Sequence, residues 1–255
     1  MRGTSIKLGI AVVALTTLAV ACRRPKPQAK AFRVPAGTMQ LVTAIVDDWT
    51  ATHATLRMWE RDGATWKPIG EPWPAVIGKT GAAWGDGLHG AMVPGRDGPF
   101  KREGDGKSPA GAFDLRAVYG YAAQPPPGTT FPYVALDPRW ECVDDPRSVE
   151  YTHIVDRDHV QIDWHSSEKM RRSDELYTWV FDVAHNPRAH AGAGSCIFLH
   201  VWSSPDSSTV GCTAMAEPQL AHMIATLDPV ARPLYVLLPR AEYAALAAPW
   251  GLPAQ

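Results

Sequence analysis

His200 and Cys212 are the residues of this chain whose types and spacing best suit covalent chemistry. An apolar run, Ile197-Phe198-Leu199, ends in His200; a polar loop, residues 203–209, follows; and the stretch closes on Val210-Gly211-Cys212. The thiolate is the nucleophilic form of cysteine, and a nearby imidazole can generate it from a thiol whose ordinary pKa is about 8.5. The short apolar run predicts a buried strand, and the Ser, Pro and Asp of the loop predict a reversal of the chain. A histidine at the strand end and a cysteine after the loop then face each other. Gly211 permits close approach of backbone to substrate, and the amides around Gly211 and Cys212 are the candidate oxyanion donors. Ser208 and Thr209, together with Ser203, are the candidate polar groups to touch substrate or orient the imidazole. A lone Cys and a lone His are more often packing residues, so the pair needs support from its surroundings.

That support is a resemblance. His200 followed by Thr209-Val210-Gly211-Cys212 resembles the signature of the L,D-transpeptidase catalytic domain family (YkuD-type): a His, a variable loop, then Ser or Thr, any residue, Gly and Cys. Ser108-Pro109-Ala110-Gly111-Ala112-Phe113 resembles a second element of that family, TPxGxF, with Ser108 in place of Thr. The two stand in the family's order, and the resemblance spans residues 39–238. The family often has Arg or Asn two residues after the Cys; this chain has Ala214, so no contact from such a side chain is expected. The resemblance implies a mainly β fold, a β-sandwich or half-barrel of mixed strands with one or two short packed helices. It implies Cys212 as nucleophile, His200 as base, peptidoglycan stem peptides as substrate, and no metal or organic cofactor. Residues 164–170 correspond to a variable segment of the family that can line the donor cleft.

The elements that must position the pair read as follows. Residues 39–46 and 55–59 are β-like, and Arg61-Asp62-Gly63 predicts a hairpin. Another short strand is expected from Trp73. Gly78-Lys79-Thr80-Gly81 lacks the spacing of a phosphate loop. Residues 104–113 predict a tight loop feeding a strand, residues 131–136 a strand, and Asp144-Asp145-Pro146 a turn. Residues 176–183 alternate as a strand expected beside that of His200. Glu217-Pro218 opens a helix whose Leu220, Met223, Ile224 and Leu227 share a face. Residues 233–238 read as a closing strand and 240–248 as a last helix.

One other stretch carries metal-type ligands: His153, Asp156, Asp158, His159, Asp163 and His165. On a strand, His153, His159, Asp163 and His165 would share a face, although no compact zinc motif is present. The competing reading is a polar, substrate-side surface.

Composition narrows the remainder. The chain has 255 residues, 45% of them hydrophobic, a net charge of −1, ten Trp and 23 Pro, which together suggest a loop-rich β protein. The charge argues against nucleic acid as a partner. Arg2 and Lys7 precede an apolar run, residues 8–21, too short to span a bilayer but suited to an export signal. The run ends Leu18-Ala19-Val20-Ala21-Cys22, which resembles a lipoprotein signal with Cys22 as the lipidated residue; an ordinary signal peptide cleaved near Ala21 is the alternative. The expected organisation is a signal peptide (1–21), a lipidated tether (22–37), a catalytic domain (38–248) and a tail (249–255), placing the protein in the periplasm or cell envelope on a membrane anchor. With Cys22 lipidated and Cys212 a free nucleophile, Cys142 and Cys196 remain to pair as a disulfide in an oxidising compartment. The same Cys–His site would also serve an L,D-carboxypeptidase or endopeptidase. A non-catalytic envelope binding module is the alternative from a different class.

Overall fold

The computed structural model describes residues 32–254 apart from 92 and 94, together with residues 1 and 3, so the expected export signal and Cys22 lie outside the described residues. Strands β1 (Gln40–Val46), β2 (His53–Asp62) and β3 (Thr65–Val76) form an antiparallel meander. Then come β4 (Ala82–Trp84), the long β5 (Ser108–Gly120) and β6 (Tyr133–Ala135). A separate small sheet follows, formed by β7 (Trp140–Val143), β8 (Ile154–Asp156) and β9 (Ser167–Lys169) with β7 in the middle. The chain continues with β10 (Trp179–Val183), β11 (Phe198–Val201), β12 (Thr213–Met215), helix α1 (Glu217–Thr226), β13 (Leu234–Pro239) and helix α2 (Arg240–Trp250).

The fold is mainly β, and its large sheet closes on itself. Pairing runs β10–β11–β12–β3–β2–β1–β13–β5, and β5 pairs back onto β10, making an eight-stranded barrel of mixed strand directions. Closure through β5 and β10 leaves one seam nearly open, where β12 and β3 pair at Ala214 and Val76 alone. The length of β5 makes closure possible: Gly111 to Asp114 pair with β13, and Leu115 to Gly120 pair with β10. β1 and β13 are buried at every position, which is why both read as nearly unbroken apolar runs. They lie parallel, and α2 packs on both. β2 alternates instead, with Ala54 and Leu56 buried and His53 and Thr55 exposed.

Three expectations need correction. The strand expected from Trp73 is the end of one twelve-residue strand, β3, that contains Pro68, Pro72 and Pro74. Proline lacks an N–H and is tolerated on a strand with a free edge; opposite β2, β3 meets β12 only at Val76. Residues 151–165 do not form a strand beyond Ile154–Asp156, so parity places no ligands together. Packing also extends beyond residues 38–248: Val34 is buried, Val34 N–H donates to Trp250 O at 2.8 Å, and Trp250 and Leu252 are buried in the core. Among the described residues no helix is long and apolar enough to cross a membrane.

Candidate active site

β11 carries His200, and Cys212 immediately precedes β12. These strands are parallel neighbours, with Leu199 opposite Thr213 and His200 opposite Ala214. Alternation sorts their side chains. Leu199, Val201 and Met215 point into the barrel core. Phe198 and Cys212 face outward into a second apolar cluster with Tyr177, Val180, Met170 and Cys142. His200 shares the parity of Phe198, and its ring meets the edge of Tyr177 at 5.2 Å. The thiol and the imidazole therefore line one cavity of about 260 Å3, together with Glu168, Arg172, Tyr177 and the hydroxyl-rich loop. Ala214 lines it as well, so a longer side chain at that position would enter the same space.

The imidazole is oriented by backbone. His200 Nδ1 lies 2.8 Å from Val201 O; only a protonated Nδ1 can donate to a carbonyl, which leaves Nε2 with its lone pair. Ser203 and Ser208, the candidates for this role, line the cavity without holding the ring. Burial, and then the charge of Arg172, lower the His200 pKa to about 4, so the ring is neutral near pH 7 and a weaker base than a free imidazole. Burial, followed by the charge of Glu168, pushes the Cys212 thiol well above its ordinary value; Phe198 N–H, which donates to Sγ at 3.3 Å, pulls the other way. The resting pair is a thiol and a neutral imidazole, both shielded from water.

The turn before Cys212 uses the expected residues differently. Thr209 Oγ1 donates to Cys212 O at 2.6 Å and accepts from Gly211 N–H at 3.1 Å. Thr209 thus shapes the nucleophile turn, and the Gly211 amide, an expected oxyanion donor, is engaged within it. Gly211 has φ of 155°, and an added Cβ would sit 3.2 Å from Lys107 O. A glycine is required there by backbone conformation and by packing on Lys107. The second sequence element reaches the same turn. Ser108, fully buried at the start of β5, donates to Cys212 O at 2.9 Å and accepts from Gly78 N–H at 2.9 Å. The residues expected to begin a tight loop are strand from Ser108 onward, and the hydroxyl at 108 ties that strand to the nucleophile.

The small sheet covers the other side. Cys142 of β7 is joined to Cys196 by a disulfide, and Cys212 Sγ lies 3.5 Å from Cys196 O. Cys212 is the free cysteine among the described residues. It also borders a second cavity of about 280 Å3, lined by Lys79, Lys101, Glu103, Asp144, Glu168 and Gly211 among others. Glu168 of β9 faces both cavities, and the Tyr177 hydroxyl donates to its Oε1. Glu168, Arg172 and Tyr177 were not recognisable as site residues, since no motif marks them; only the variable 164–170 segment pointed to this wall.

The metal-type residues disperse into local pairs. His153 contacts Glu150 at 3.4 Å, His159 contacts Asp156 at 3.0 Å and His165 contacts Asp145 at 3.4 Å. Asp163 accepts from Ser148 Oγ and Val149 N–H. No group of three or more His, Cys, Asp or Glu suited to a metal occurs among the described residues.

No protein family model matches the chain, and no curated protein matches it. Among solved structures it is similar to the crystal structure of the helical cell shape determining protein Pgp2 from Campylobacter jejuni, at 14% identity over 79% of this chain and 48% of that one, with a TM-score of 0.40. The chain spans about half the length of that protein. A likeness of this size carries no argument about the site.

Proposed function

We propose that the protein is a peptidoglycan L,D-transpeptidase acting through a thioester on Cys212. The observation that carries this reading is the placement of a buried thiol and a neutral, backbone-oriented imidazole on adjacent parallel strands lining one cavity. Cys212 also borders a second cavity, so an acyl group on Sγ can be approached from another side.

In this reading Cys212 Sγ attacks the carbonyl of the third residue of a tetrapeptide stem. His200 Nε2 takes the thiol proton and passes it to the departing amine of the terminal residue. The C–N bond breaks and an S–C bond remains. An amine from a second stem then displaces the thiol, giving its proton to His200, and a crosslink forms. We assign oxyanion stabilisation to the Cys212 amide, because Gly211 N–H is held by Thr209. No step requires a metal or organic cofactor. The sequence reading adds export to the cell envelope and a lipid on Cys22, which mass analysis of the N-terminal peptide from membranes would test.

Intact mass after incubation with a disaccharide tetrapeptide tests the mechanism. The expected result is an adduct lacking the terminal residue, dimeric stems on further incubation, and no adduct in Cys212→Ser. Turnover retained by Cys212→Ser would sink the mechanism. Release of tripeptide without dimers would make the enzyme a carboxypeptidase on the same site.

A further inference from the structure

Among the described residues, Arg172 is the one permanently charged cation on the wall of the cavity that holds Cys212 and His200. It comes from the turn after β9, not from the strands that carry the reactive pair. Its guanidinium is held in place before any ligand arrives. Nε donates to Asp174 Oδ1 at 2.9 Å and Nη2 to Asp174 Oδ2 at 2.7 Å. Leu176 N–H fixes the same carboxylate at 3.1 Å. The guanidinium carbon lies 5.2 Å from the Tyr177 ring centre. The third nitrogen, Nη1, is 3.8 Å from Glu168 Oε1, too far for a hydrogen bond, and has no hydrogen-bond partner among the described residues. Glu168 Oε1 is already occupied by the Tyr177 hydroxyl.

This is a pre-oriented cation, one-third exposed, whose Nη1 is ion-paired with Glu168 but donates no hydrogen bond among the described residues, in the cavity that His200 and Cys212 line. Its charge reaches both members of the pair, lowering the proton affinity of His200 and of Cys212. A fixed guanidinium edge suits a carboxylate better than a neutral amide, because the charged acceptor makes the stronger hydrogen bond. Ser203, Ser207 and Ser208 line the same cavity with hydroxyls that suit a peptide backbone. Ala214, on the strand side of the cavity, supplies no charge.

Resting on the transpeptidase reading, we propose that Arg172 binds the free α-carboxylate of the residue that leaves. Arg172 is then a specificity-determining residue. It selects stems that end one residue beyond the scissile bond and disfavours chains that continue or are amidated there.

The test uses two synthetic tetrapeptide stems that differ only in a terminal carboxylate or carboxamide. Calorimetric binding to Cys212→Ser protein should favour the carboxylate by about ten-fold, as expected for one charge-assisted contact. The preference should fall to about two-fold or less when Arg172→Gln is added, and survive in part with Arg172→Lys, which keeps the charge. Thioester formation by the wild-type enzyme should show the same preference. Equal binding of the two stems by Cys212→Ser, or an undiminished preference in folded Arg172→Gln protein, overturns the proposal. Preferential carboxylate binding without thioester from either stem would instead overturn the transpeptidase reading and leave Arg172 as a carboxylate site. Thioester from both stems at equal rates would do the reverse.

Discussion

Leu56 and Glu141 are almost equally buried, at 0% and 2% exposure, for opposite reasons. Leu56 lies in the barrel core, where burial itself stabilises by about 1.5–3 kcal/mol for a side chain of this size. Glu141 lies in the small sheet, where Lys169, Ser167 and Trp164 donate to its carboxylate and Arg157 sits 3.2 Å away. Taking a charge out of water is costly unless it is paired, so this sheet adds a polar network and a disulfide to the apolar cluster that Trp140, Cys142, Ile154 and Met170 share with the barrel. The candidate active site lies between these two kinds of structure. β11 and β12 of the barrel hold His200 and Cys212 in fixed relation. Glu168 and Arg172, from β9 and the turn after it, form the facing wall. The candidate pair sits on the barrel, and Arg172, proposed to select substrate, sits on the facing wall.

The largest effect on stability is expected in the barrel. Leu56→Ala should lower the unfolding free energy by about 2–5 kcal/mol in chemical denaturation, with barrel and site unfolding together. A loss below about 1 kcal/mol would mean that this core does not set global stability. Removing the disulfide by Cys142→Ala with Cys196→Ala should cost about 2–4 kcal/mol. Hydrogen exchange should then rise first in β7, β8, β9 and residues 195–198, while β1 and β13 stay protected. A uniform rise through the barrel would erase the distinction between the two regions. Ser108→Ala removes the donor to Cys212 O and the acceptor of Gly78 N–H, and should cost about 1–3 kcal/mol. It should also slow thioester formation, since the nucleophile turn loses one of its ties to β5; an unchanged rate would show that the tie is idle.

The smallest effect is on pH dependence. Burial lowers the pKa of His89, His185 and His200 to about 4. Each folded value lies below the unfolded value of about 6.5. These groups therefore contribute full stability above pH 6.5 and lose it progressively as the pH falls toward 4. Asp182, raised to about 6 by burial, acts in the opposite direction over much of the same range. Glu168 and Asp114, also raised by burial, act with Asp182. Hydrogen bonds that lower Asp145, Asp163 and Asp174 act with the three histidines. The sum predicts a melting temperature that falls between pH 6.5 and 4, by about 2–4 °C for each kcal/mol lost. His185→Gln should flatten that slope, and an unchanged slope would remove His185 from the account.

Local pattern alone was enough to recognise much of the frame. The β-like residues 39–46 and the apolar run 233–238 became β1 and β13, Arg61-Asp62-Gly63 marked the β2–β3 hairpin, whose turn is Gly63-Ala64, and Glu217-Pro218 opened α1. The strand at His200 was readable because an apolar run ending at a polar loop has few other solutions. The Thr209-Val210-Gly211-Cys212 tetrad was readable because a contiguous run of residues can be matched to a family signature. These are short-range matters: period, turn chemistry and adjacency are written into neighbouring residues.

What neighbouring residues could not reveal depends on contacts between distant ones. β3 runs through three prolines because its second edge is nearly unpaired, a property of the assembled sheet and not of the segment. The barrel closes because β5 is long enough to pair with both β13 and β10. Thr209 draws the Gly211 amide into the turn, Ser108 reaches Cys212 across 104 residues, and Arg172 arrives at the reactive pair from a turn with no motif. Residue type, adjacency and a family resemblance were enough to single out His200 and Cys212 as candidates, because the pattern that marks them is local. Which backbone groups are already engaged and which charge lines the cavity were settled by the assembled fold, since both depend on loop closure and strand register that no local window contains.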